Sequence, residues 1–383
     1  MKNCENGLVF RVVVSAAGNR ARSVVKRLLE AAGSKVRIVA IFDPDRTVAE
    51  EAAHNIWNSH NAVICSSWEE ALQYEAEWAM IFSPNYAHKE QIIAAFQAGK
   101  DVFSEKPIAT KIEDCQAIYN EWKKYKKVFA TGFVLRYALI YRKAYEILRS
   151  GQLGKLVSIE ANENIRFQHG GYIMSNWRRL TRYAGPHILE KCCHDLDLIE
   201  WFADSLPSRV AAFHSHTFFK PENRCLEEKY GKDAFRCFWD PHRLETPFND
   251  DSDLHDSFVS VARFRNGVQV AFNYSMFSSI PERRMRFQCT EGTMTLNIYE
   301  QTLRWKNIGD VAETTLKFTD CDGHGGGDAF IMEELFETMS KGIAPKCSGD
   351  EGLQSAIYAL ALDRAATENK IIDLEEIWNS LGR

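Results

Sequence analysis

Glu190 and His194, four residues apart in Gly185-Pro186-His187-Ile188-Leu189-Glu190-Lys191-Cys192-Cys193-His194-Asp195, could put a carboxylate and an imidazole on one helix face. An imidazole titrates near neutrality, so it can take the proton of an alcohol whose carbon gives up a hydride. The start of the chain offers a place for a hydride acceptor. After Val12-Val13-Val14 the turn reads Ala16-x-Gly18-x-x-Ala21, in the position of a G-x-G-x-x-G/A turn that meets a pyrophosphate at a helix N-terminus. Ala17, Gly18, Asn19 and Arg20 are the candidate cofactor contacts in this turn, with Gly18 where the pyrophosphate would come close. Asp43, at the end of the next strand, would accept hydrogen bonds from the ribose hydroxyls of NAD and disfavours a 2′-phosphate. Arg46 could meet such a phosphate, so NAD is expected and NADP is not excluded. A plain β–α turn, and a turn at Asp43-Pro44-Asp45, would use the same residue types.

The elements that must hold these groups alternate in the first third of the chain. Leu8 to Val14, Val36 to Phe42, Ala79 to Phe82, Val102-Phe103 and Val128 to Ala130 read as short apolar strands. Helical patterns run from Asn19 to Ala32, Val48 to Asn58, Lys89 to Ala98 and Ile112 to Tyr125. This predicts a doubly wound parallel sheet with its ligand crevice at the carboxyl ends of the strands. After a helix over Leu139 to Arg149 the texture changes to strands: Leu156 to Arg166, Val210 to His216, Phe258 to Phe264, Val268 to Met276, Met285 to Thr290, Thr293 to Asn297 and Thr315 to Phe318. A helical segment spans 187 to 203, and closing helices run over Phe330 to Ser340 and Asp350 to Thr367. Pro221 to Asp253 shows no period and is expected to be a long loop. Glu160, Asn162, Asn164 and Arg166 alternate along one strand face and could meet polyol hydroxyls, or water.

Of the 383 residues 45% are hydrophobic and 26% charged, and the net charge is −5. That is an ordinary globular balance, without the positive field that nucleic acid or an anionic membrane would require. No apolar run approaches a bilayer span, and the first residues do not resemble a secretory signal, so a cytoplasmic protein with a small-molecule partner is expected. Ten cysteines form no C-x-x-C pair, which argues for reduced thiols and no metal.

Ser83-Pro84-Asn85-Tyr86-Ala87-His88 and Ser104-Glu105-Lys106-Pro107-Ile108-Ala109 each follow a strand of the first domain. In these N-x-x-H and E-K-P segments the chain resembles the glucose–fructose oxidoreductase, inositol dehydrogenase and MocA family. The resemblance continues through Gly132-Phe133, Ser150-Gly151-Gln152-Leu153-Gly154-Lys155 and Asn176-Trp177-Arg178. Glu190 stands where many relatives have Asp, four residues before the matching His194.

The resemblance implies an N-terminal Rossmann domain over 1–134. It also implies a C-terminal α+β domain over 135–383, with a large, mainly antiparallel open sheet and terminal helices that pack back toward the first domain. NAD would lie along Ala17 to Arg20, Asp43, Ser83, Pro84, Asn85, His88, Glu105 and Lys106. His194 would be the general base, Lys106 would stabilise alkoxide charge, Glu190 would position a hydroxyl, and Glu105 would orient the lysine. Arg166, Trp177, Arg178, Lys191 and His324 are further substrate contacts. In Gly323-His324-Gly325-Gly326-Gly327-Asp328 the acid could instead cap a helix. The implied activity is hydride transfer at a secondary alcohol or ketone carbon of a sugar, sugar derivative or cyclitol, by a homodimer or homotetramer. Two alternatives share these features: a glycosidase that oxidises its sugar transiently, and a cofactor-binding protein without catalysis.

Overall fold

The computed structural model describes residues 8–236, 244–319 and 324–383. They form two compact units, one of residues up to 109 with 113–137 and 326–353, the other of 110–112, 138–325 and 354–383.

The first unit is a six-stranded parallel sheet in the order β3-β2-β1-β4-β5-β6. Its strands are β1 (Phe10–Ser15), β2 (Val36–Phe42), β3 (Val63–Cys65), β4 (Trp78–Ile81), β5 (Asp101–Ser104) and β6 (Phe129–Thr131). Val12, Val13 and Val14 are fully buried, as are Ala79, Met80 and Ile81, because parallel strands are covered on both faces and read as unbroken apolar runs. The helices are α1 (Asn19–Ala32), α2 (Arg46–Glu51), α3 (Trp68–Leu72), α4 (His88–Gln97) and α5 (Ile112–Tyr125). α1 has the bounds that its periodicity predicts, burying Ala21, Val24, Val25 and Leu28. The three-residue β3 and five-residue α3 are too short to leave a period in the sequence. The strand order reverses between β1 and β4, where open α/β sheets bind ligands beyond the strand ends.

The second unit is built on a nine-stranded sheet in the order β14-β13-β12-β11-β7-β10-β9-β8-β15. Along the chain come α6 (Leu139–Arg149), β7 (Leu156–Arg166), α7 (Phe167–Ser175), α8 (Thr181–Ala184), α9 (His187–Glu190), α10 (Cys193–Ala203), β8 (Pro207–Ser215), α11 (Cys225–Tyr230), β9 (Ser257–Phe264), β10 (Gln269–Ser278), β11 (Arg284–Cys289), β12 (Gly292–Asn297), β13 (Thr302–Asn307) and β14 (Thr314–Lys317). Then follow α12 (Gly327–Lys341), which belongs to the first unit, α13 (Gly349–Glu368), β15 (Ile372–Asp373) and α14 (Glu375–Ser380). Only the β7–β10 pair is parallel. One sheet face is packed. The other leaves Phe213, Val259 and Val261 exposed above a groove of about 600 Å³ lined in part by Arg209, Arg263 and Arg286.

Two expectations are corrected. The segment 187–203 is two helices, α9 and α10, separated by a turn at Lys191-Cys192, and not one continuous helix; nearly all of α10 is buried. The described part of 221–253 is not a bare loop, since α11 lies within it and Phe235 and Phe248 join Phe218 and Phe219 in a buried aromatic cluster. Residues 237–243 and 320–323 lie outside the described residues. Among the described cysteines all are free and most are buried, and no described helix is long and apolar enough to cross a membrane.

Candidate active site

In the first unit β1 delivers the chain to a turn whose first residue, Ala16, has φ 66°, the left-handed conformation for which glycine is the usual choice. Ala16 accepts this because its N–H donates to the Phe42 carbonyl at 2.7 Å, fixing the turn to β2. Gly18 caps α1, with Asn19 the first helical residue; a Cβ on Gly18 would project into open space, so the backbone here is free to approach a ligand. Asp43 accepts from the Ala17 N–H at 2.7 Å and the Asp45 N–H at 2.9 Å, one bond to each carboxylate oxygen. Each oxygen retains a second lone pair for a ribose hydroxyl. Arg46 donates to Glu50 at 2.8 Å. The turn, the unoccupied volume at Gly18 and the acid at the end of β2 fit a dinucleotide.

The loops after β4 and β5 are tied together. His88 is buried, with Nδ1 2.7 Å from the Pro107 carbonyl and Nε2 2.8 Å from the Ser83 carbonyl. Burial lowers its pKa, and the two carbonyls and Glu105 oppose that shift. Ser83 donates to Gln91, as does Ser15, while Asn85 is buried at the start of the next turn and Pro84 precedes it. Lys106 precedes a cis Pro107, and its N–H donates to the Glu105 carboxylate at 3.3 Å.

Arg20, a candidate cofactor contact, donates from Nε to Glu105 at 2.6 Å and from a terminal nitrogen to Asp328 at 2.6 Å. Burial alone would lower the guanidinium's pKa, but the two carboxylate charges raise it above its ordinary value. Asp328 therefore does not cap α12, whose N-cap is Gly326.

In the second unit the break after α9 places Glu190 and His194 on successive helices. Glu190 accepts from Arg178 Nε at 3.0 Å, and Arg178 also donates to the Tyr172 hydroxyl at 3.0 Å and lies 4.4 Å from the Trp177 ring centroid. His194 is 4% exposed, and its ring centroid is 6.1 Å from that of His324. Lys191 reaches Glu163 at 3.6 Å. His169 on α7 lies within the field of Lys191, Glu163, His187 and Glu190; burial, then the Lys191 charge, push its pKa down to about 3.

The polar parity of β7 turns out to belong to the other side of the sheet. Glu160 is exposed and paired with Arg284 at 2.7 Å, Asn162 is bonded to Glu282, and Arg166 ends the strand exposed. Glu163, on the buried parity, is the residue that meets Lys191 and, at 3.4 Å, Arg283. Arg283 holds Asp195 through two bonds of 2.8 Å. Glu163, Cys192 and Asp195 come close enough to suggest a metal site, yet Arg283 already supplies the cation. Burial raises Glu163, but Arg283 and Lys191 outweigh it and hold the acid down at about 2; burial, with the charge of Glu163 against that of Arg283, raises Asp195 to about 7.

The sequence reading missed Glu163, Arg283, His169 and Tyr172. An acid on the buried parity of a strand is a signal for the first. Arg283 is 88 residues from Asp195 and is found only through the pairing of β7 with β11.

A parallel sheet with a dinucleotide turn at its reversal point, carried with a large open sheet, defines a nucleotide-dependent redox enzyme. Residues 10–133 match the model of the oxidoreductase family with an NAD-binding Rossmann fold, and residues 141–295 match the GFO/IDH/MocA C-terminal domain. The chain belongs to the GFO/IDH/MocA oxidoreductases, and NAD is the cofactor of its first domain. A Bacillus subtilis protein named as an oxidoreductase, YteT, is 21% identical over 96% of this chain and 98% of its own. Inositol 2-dehydrogenase 3 of Saccharopolyspora erythraea is 32% identical over 51% of this chain and 54% of its own. The solved levoglucosan dehydrogenase, in complex with NADH and levoglucosan, superposes with a TM-score of 0.80 at 18% identity, covering 96% of this chain and 99% of that one.

Proposed function

We propose that the enzyme oxidises a secondary alcohol carbon of a sugar, sugar derivative or cyclitol, or reduces the corresponding ketone. The observation that carries this is a nearly buried His194 with the ring of His324 6.1 Å away; on the preceding helix Glu190 is held by Arg178, which also reaches Tyr172 and Trp177. A buried imidazole suits removal of an alcohol proton, and the names of the inositol and levoglucosan enzymes agree with a polyol substrate. Bound NAD supplies the hydride acceptor. His194 takes the hydroxyl proton as the C–H bond breaks and the C=O bond forms. The Lys106 ammonium stabilises negative charge growing on that oxygen, and Glu190 holds a neighbouring hydroxyl. Ala17, Gly18, Asn19, Asp43, Ser83, Pro84 and Asn85 bind the cofactor.

We also propose that copies of the chain associate through the open face of the nine-stranded sheet. Its exposed Phe213, Val259 and Val261 form an apolar surface of the kind that marks an interface.

The test is to incubate the protein with NAD and a panel of sugars and cyclitols, following NADH absorbance and sugar products together. NADH formation with one ketone product is expected. Aglycone release without net NADH would replace this reading by the redox-cycling glycosidase, and tight NAD binding without any turnover would replace it by a non-catalytic protein.

A further inference from the structure

Within the first unit four distant segments meet at Glu105. Its carboxylate receives Arg20 Nε from the first turn of α1 and the N–H of Lys106. Gly132, just after β6, leaves room for it: a Cβ there would stand 2.7 Å from a Glu105 oxygen. The other carboxylate on Arg20 comes from Asp328, immediately after Gly325, Gly326 and Gly327. Glu105 and Asp328 are 7% and 6% exposed, so each needs the guanidinium as its counter-charge. Were Arg20 to release either carboxylate, that buried anion would carry a desolvation penalty of roughly several kcal/mol. Two ends of one rigid fork are thus held by two carboxylates, and the fork cannot shift at one end without moving the other.

We propose that Asp328 is a positioning residue for the reacting centre: through Arg20 and Glu105 it fixes the main chain at Lys106. The first turn of α12 is thereby linked to the E-K-P loop, with Arg20 as the brace between them. The effect on catalysis rests on Lys106 acting at the reacting oxygen, as proposed above; the mechanical link does not.

The experiment is amide hydrogen exchange on the full-length Asp328→Asn protein, with Glu105→Gln, which keeps the shape at Gly132, as a second variant. Exchange at the Lys106 amide should quicken about tenfold in both, while the amides of β5 and the thermal midpoint stay near wild type. With a substrate from the panel, kcat should fall about tenfold in Asp328→Asn, with KM and the NAD dissociation constant within about twofold. Unchanged exchange at Lys106 in Asp328→Asn would overturn the link, as would a large loss of NAD affinity without a loss of kcat. A Lys106→Met protein with normal turnover would instead remove the catalytic reading and leave the exchange result standing, so the two failures are distinguishable.

Discussion

Each unit contains an arginine held by two carboxylates, and the two clusters differ in depth. The Arg20 side chain is 30% exposed between Glu105 and Asp328, whereas that of Arg283 is 6% exposed between Glu163 and Asp195. The same three charged groups therefore do different work. The deep cluster has little water to fall back on, so its members depend on one another for the folded state. The other stands beside the cofactor turn and Lys106, its carboxylates buried but its arginine in reach of water. Exposure of the arginine, more than the ion pairs themselves, separates the two clusters.

The comparison is sharpest if the deep arginine is removed. Arg283→Met should leave Glu163 and Asp195 without their shared cation and destabilise the fold by about 3–5 kcal/mol, the usual range for breaking a buried pair. Urea denaturation would measure this, and a loss below about 1 kcal/mol would put the two clusters on the same footing. His194, the proposed base, is the chain neighbour of Asp195. His194→Asn should lower the chemical step by roughly 10²-fold with little change in folding or NAD affinity, followed by single-turnover hydride transfer. An unchanged rate would move the proton to another group, with Lys106 or Lys191 next to test.

The deep cluster also has a signature in pH. Asp195 is raised in the fold from an ordinary 3.8 to about 7, so the unfolded chain releases that proton first. The contribution is fully present below about 3.8 and is lost as pH rises through about 7. Thermal unfolding between pH 5.5 and 8.5 should show wild type losing stability relative to Asp195→Asn as pH rises; parallel profiles would show that no proton is held there. The smallest effect belongs to the cofactor turn. Ala16→Gly relieves a left-handed Cβ and should stabilise by up to about 1 kcal/mol, read as a higher melting temperature, offset in part by the extra freedom of glycine when unfolded. A lower melting temperature would mean that burial of the Ala16 methyl outweighs its strain.

The contrast between the clusters also shows what could be read from sequence. The boundaries of α1, β2, α5, α6 and β7 follow from periodicity because each is long enough to show one face. The cofactor turn is visible because strand, turn and helix are contiguous in the chain. Glu190 and His194 were legible as residues but not as a geometry: four positions suggest a helix face, and the turn at Lys191-Cys192 that separates α9 from α10 is not encoded in that spacing. Arg20 was placed among the cofactor contacts because it lies where the turn after β1 enters α1. Its partners are 85 and 308 residues away. Long-range ion pairs of this kind depend on topology, and a single sequence carries no local trace of them.

The strand order has a consequence for synthesis. β7 lies between β10 and β11, and its first partner, β10, begins only at Gln269. At a ribosomal rate of roughly 5–20 residues per second, about a hundred residues must follow β7 before any strand can pair with it, an interval of roughly 5–20 s. During that time a strand destined for the interior of the sheet has both edges open. The nascent chain is then most exposed to wrong pairing, and a pause in translation just after residue 166 would lengthen that window more than a pause anywhere beyond β11.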